Sequence, residues 1–70
     1  MEIFSLEGHP HVELCDLLKF QGWSESGAAA KAVIAEGLIE VNGQTETRKR
    51  CKITAGQVVT FNGDSVCIKE

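Results

Sequence analysis

Cys15, Cys51 and Cys67, with His9 and His11, supply all the thiols and imidazoles of this 70-residue chain. Thiolate and imidazole together are a zinc ligand set, but the spacing argues against one here. No cysteine pair lies two to four residues apart, and His9-x-His11 falls in an expected loop. Cys15 sits beside a leucine stripe and Cys67 within a strand pattern, so both read as small buried hydrophobes. A Cys–His catalytic pair lacks a third orienting group and a cleft. The carboxylates are scattered over surface positions, and no glycine-rich phosphate loop is present. No metal, no cofactor and no enzymatic activity are expected.

The positive charges are arranged differently. Arg48, Lys49 and Arg50 are contiguous and Lys52 follows, so four of the seven Lys and Arg lie within five residues. In a chain of net charge −3 this is a local reversal of sign. Guanidinium forks match phosphate oxygens two at a time, so the run reads as a phosphate-contacting loop. The bland alternative is a charged loop that only keeps the chain soluble. Lys31 is the other cation of interest. It is placed on a helix, opposite the Ala30, Val33 and Ile34 face, and is expected to point outward.

The elements that would position these residues centre on Ser26 to Gly43. Ser26 is a good N-cap, because its hydroxyl can accept from a free amide of the first turn. Ala28 to Ala35 favour helix, with Ala30, Val33 and Ile34 along one face. Gly37 can take the left-handed stop, Ile39 and Val41 alternate with Glu40 as a strand, and Asn42-Gly43 suits a tight type I′ turn. Before this stretch, Ile3 to Leu6 reads as a strand with Phe4 and Leu6 on one face. Pro10 precedes or opens a helix over His11 to Phe20, with Leu14, Leu17 and Leu18 as its stripe. Gly22 ends that helix, and Trp23 is expected at the joint between the two. After Gly43, Gln44 to Thr47 reads as a return strand leading into the basic loop. Ala55-Gly56 is a turn, and Val58 to Phe61, Asn62-Gly63 and Ser65 to Lys69 form a second hairpin.

Seventy residues make one small domain, which buries only about 60% of its unfolded surface and leaves no room for a large cleft. The architecture expected is α+β, with two helices packed on a small, mostly antiparallel sheet. No apolar run approaches a membrane span, and MEIFSLEGHP lacks a basic signal-peptide head. With an odd cysteine count, the expected setting is a reducing cytoplasm.

The pattern Leu14-x-x-Leu17-Leu18, then Ser26-x-x-x-Ala30-Lys31-x-x-Ile34-x-x-Gly37-x-Ile39-x-Val41-Asn42-Gly43, resembles the ribosomal-protein S-four-type RNA-binding domain, or alpha-L motif. Ala55 to Phe61 is similar to its closing segment, and the likeness spans about Val12 to Phe61. HPHVELCDLL and ETRKRCKI resemble the small stand-alone bacterial YbcJ-type group. The resemblance implies a non-catalytic binder of structured RNA, read by shape and phosphate position. It implies a contact surface of helix two, the following hairpin and the loop beyond. Lys31, Arg48, Lys49, Arg50 and Lys52 are the contact residues expected first, with Ser26, Asn42, Gly43 and Gln44 behind them. The chain departs from the family where helix two is usually rich in arginine. Gly27, Ala32 and Ala35 stand at positions often basic there, Glu40 stands where the strand is often basic, and Ala55 replaces a turn proline. The alternative is an adaptor that keeps the fold, has lost most RNA affinity, and docks a protein partner through its acidic face.

Overall fold

The two Asn-Gly dipeptides reverse the chain as their types demand. Asn42 and Gly43 have φ of 53° and 83°, and Asn62 and Gly63 have 52° and 86°. Positive φ at both central residues is the signature of primed turns, whose twist matches that of the strands they join. The computed structural model describes all 70 residues. Its strands are β1 (Glu2–Ser5), β2 (Val12–Glu13), β3 (Ile39–Val41), β4 (Gln44–Thr45), β5 (Lys52–Ile53), β6 (Val58–Phe61) and β7 (Asp64–Lys69). The helices are α1 (Leu14–Phe20) and α2 (Gly27–Ala35).

Five strands form one sheet in the order β1-β7-β6-β3-β4, antiparallel except where β1 runs parallel to β7. Strand alternation sends Ile39, Val59, Val66 and Ile68 to a single buried face. There they meet Leu14, Leu17 and Leu18 of α1 and Ala30 and Ile34 of α2, with Leu6, Cys15 and Ile53 completing one core. No polar side chain is buried in it. The fold is α+β, as the sequence leads one to expect.

Both helices end in the same way. Gly22 donates to the Lys19 carbonyl and Trp23 to that of Leu18; Gly37 donates to Ile34 and Leu38 to Val33. With Gly22 and Gly37 at φ of 77° and 78°, these are paired Schellman stops. Trp23 leaves the first of them to pack its ring 6.0 Å from that of Phe61. At the other end of α2, the Ser26 hydroxyl accepts from the Ala29 amide at 3.2 Å.

The start of α1 differs from expectation. Helix begins at Leu14, not His11, because Val12 and Glu13 are extended and pair antiparallel with Ile53 and Lys52. Pro10 therefore lies in the bend before β2 and opens no helix. Lys52 belongs to β5 and not to the loop, and the return strand β4 stops at Thr45. Periodicity could not show the β2–β5 ladder, since two-residue strands carry no period to read.

Candidate nucleic-acid interface

Loop 46–51 is tied down at both of its ends. Glu46 donates its amide to the Ile39 carbonyl at 2.9 Å, and β5 fixes the far side against β2. Between them, the Cys51 and Lys49 carbonyls accept from the Leu14 and Cys15 amides at 2.9 and 3.1 Å. Those two amides open α1 and have no intrahelical partner, and Glu13 supplies no side-chain cap. The basic loop thus caps α1 with its backbone. That leaves its side chains outside.

Arg48, Arg50 and Lys52 line one concavity together with Cys51. The three cations are not equivalent. Glu46 takes Arg48 from one edge, with Nε donating to Oε2 and Nη2 to Oε1, both at 3.0 Å. The Arg48 amide adds a third bond to Oε2 at 2.9 Å. Even so, the Arg48 side chain is 75% exposed, against 17% for Glu46. Arg50 meets Glu13 only at 4.0 Å, and Lys49 and Lys52 make no ion pair. The hydrogen bonds from the Arg48 side chain, then its backbone N–H, lower the Glu46 carboxyl to about 2. The same bonds raise the Arg48 guanidinium. Burial, and then the Glu46 charge, push the Cys51 thiol up.

Lys31 stands apart from this group. It is half-buried at the flank of α2, not opposite the apolar face, because a 100° step per residue leaves it beside Ile34. It forms no hydrogen bond or ion pair with the loop; the link runs through α1, which packs on α2 and receives the loop at its N-terminus. Ala32 and Ala35 are exposed on α2. Of the other four candidates, three carry structural duties. Ser26 spends its oxygen on the cap, and Asn42 Oδ1 accepts from Val58 at 2.9 Å. Gly43 supplies positive φ, while Gln44 is exposed in β4 with no side-chain hydrogen bond. The Ser26 O–H and the Asn42 amide NH₂ stay available as donors.

Sequence reasoning missed Glu46 and Glu13 as partners of the arginines. A signal existed for the first: in an extended segment residues i and i+2 share a face, so Glu46-x-Arg48 points both side chains one way. Glu13 has none, because its meeting with Arg50 depends on the β2–β5 ladder. Adjoining the basic loop at Glu13, which also meets Arg50, β1, the β1–β2 loop and α1 enclose a groove lined by Phe4, His9, His11, Glu7, Glu13 and Asp16. Phe4 stacks on Phe20 there, with centroids 5.8 Å apart, and Phe20 is 64% exposed. No three His, Cys, Asp or Glu side chains converge as a metal-ligand group, and the three cysteines are unpaired. No helix is long and apolar enough to cross a membrane.

Comparison with known proteins agrees with this fold. The chain is 70% identical over 66 residues, 94% of each chain, to the Escherichia coli (strain K12) protein named "Putative RNA-binding protein YbcJ". The same figures hold for the Shigella flexneri "Uncharacterized protein YbcJ". The solution structure of YbcJ from E. coli, described as revealing an alpha-L motif involved in RNA binding, matches with a TM-score of 0.77. Identity to it is 66%, covering all of this chain and 89% of that one. The family model for the S4 domain matches residues 4–69. The chain belongs to the S4 domain family.

Proposed function

We propose that this chain is a non-catalytic RNA-binding module, acting as one domain on structured RNA. The observation that carries the reading is the cluster of exposed cations at one concavity, on a loop whose backbone is hydrogen-bonded to the start of α1, in a protein that is otherwise acidic. Arg50, Lys49 and Lys52 contact phosphates, and Lys31 on the flank of α2 is a further phosphate contact set apart from them. Recognition is by shape and phosphate position. Stacking of splayed bases plays little part, because Trp23 and Phe61 pack against each other and Phe4 stacks on Phe20 in the adjoining groove. Membership of the S4 domain family and the RNA binding named for its relatives support the reading. Three unpaired cysteines suit a reducing cytoplasm.

The test is charge reversal with a control. Lys49→Glu combined with Lys52→Glu should lower affinity for a stem–loop RNA by more than tenfold, while Lys69→Glu, on β7, should leave it nearly unchanged. Circular dichroism of each variant checks the fold. Equal affinity of the double variant and wild type would remove the loop from the site. A second reading rests on the groove of Phe20, Glu7, Glu13 and Asp16, which offers an acidic, partly aromatic face to a basic protein partner. If that adaptor reading holds, most RNA affinity is already missing in the wild type, and the double variant changes it little.

A further inference from the structure

The guanidinium of Arg48 is committed on one edge and open on the other. Nε and Nη2 form the side edge, and both donate to the Glu46 carboxylate at 3.0 Å. The end edge, Nη1 with the second hydrogen of Nη2, has no oxygen partner. The Cys51 sulfur, a weak acceptor, is 3.6 Å from Nη2 and itself lies 3.6 Å from Glu46 Oε1. The arginine is therefore held in plane by Glu46, and on its outer edge Nη2 makes only a weak contact to the Cys51 sulfur, on a side chain that is otherwise exposed.

A phosphate is a poor match for such a group. Glu46 is ionised at neutral pH, so the pair carries no net charge, and its carboxylate repels an approaching anion. A neutral ligand with two adjacent acceptors suits it better. In RNA that ligand is the O6/N7 edge of guanine, which an arginine fork reads with two parallel hydrogen bonds. The deep, narrow major groove of an RNA duplex hides this edge, so the guanine must be unpaired, in a loop or bulge. We infer that Arg48 is a guanine-reading residue, that Glu46 is its positioning residue, and that the neighbouring Lys49, Arg50 and Lys52 hold the backbone around it. This rests on the RNA-binding reading above and adds base specificity to it.

The experiment uses stem–loop RNAs with one shared stem. Their loops hold two unpaired guanines, two 7-deazaguanines that lack only the N7 acceptor, or two adenines. Wild type should prefer the guanine loop to either substitute by about tenfold, the scale of one bidentate base contact. Arg48→Lys keeps the charge but not the fork, and should bind the three loops equally. Glu46→Gln should also lose the preference, yet bind all three more tightly. Its log affinity should fall with log salt about 0.7–0.9 more steeply, since one cation is released toward phosphate. A merely structural Glu46 would weaken all three and leave their ratio unchanged, which contradicts the inference. Equal wild-type affinity for guanine and 7-deazaguanine loops overturns the inference and spares the RNA-binding reading. No binding to any loop overturns both.

Discussion

Glu46 is the residue on which the site's geometry turns, and its titration can be followed. Its carboxyl is lowered from 4.5 to about 2 in the folded protein. A carboxyl with a depressed folded value contributes stability above its unfolded value and loses it as pH falls through the folded one. The melting temperature of wild type should therefore fall relative to that of Glu46→Gln between about pH 4.5 and 2, and the difference should be constant above pH 5. Parallel profiles for the two proteins would mean that the Glu46–Arg48 fork does not form in solution. Ser26→Ala tests a second single-residue role and should cost about 1 kcal/mol by chemical denaturation, as lost N-caps do. Much at this scale was legible in advance. Ser26, Gly37, Asn42 and Gly43 each have the conformation their type favours, because the cause is local. The arginine partners were not, since a side chain's ion pair depends on what folding brings beside it.

At the scale of elements, the basic loop and α1 hold each other in place. Hydrogen exchange should show the Leu14 and Cys15 amides protected, because carbonyls of loop residues accept from them. Amides at a helix start otherwise exchange quickly. Rapid exchange at both would mean that the loop is undocked and its cations are not positioned. Gly43→Val should cost roughly 1–3 kcal/mol, because a β-branched side chain at φ of 83° is strained even with open space around it. An unaltered stability would remove the tight turn from the account. The sequence reveals α2, β3, β6, β7 and both hairpin turns almost to the residue. Each of these is set by near neighbours: a cap, a stop, an alternation, an Asn-Gly pair. It does not reveal the parallel pairing of β1 with β7 or the ladder of β2 with β5. The first joins strands more than 60 residues apart, and the second has too few residues to show a pattern. That same ladder is why α1 starts at Leu14, three residues after the His11 start that Pro10 suggests.

For the whole molecule, a net charge of −3 means that phosphate is not drawn in from a distance. Screening decides in favour of local charge. At physiological ionic strength the Debye length is about 8 Å. In a molecule 29 Å along its longest axis, the basic loop acts largely without the remote carboxylates. Binding should then be short-ranged, modest in strength and sensitive to salt. Glu13 and Glu46 are the near carboxylates that subtract from it, since both lie within ion-pair distance of the loop arginines. Restoring positive charge on the exposed flank of α2 should add to it. Ala32→Arg is expected to tighten stem–loop binding and to steepen the salt dependence by about 0.7–0.9.

The most direct measurement of the central claim is the salt dependence of binding to a stem–loop RNA, with duplex DNA as competitor. Lys31, Lys49, Arg50 and Lys52 can neutralise up to four phosphates, and each contact contributes about −0.7 to −0.9 to the slope of log affinity against log salt. The predicted slope is about −3 with wild type, falling by roughly half when Lys49 and Lys52 are both replaced by alanine. A slope near zero, or one unchanged by that double replacement, would contradict the assignment of this loop as the RNA-binding surface.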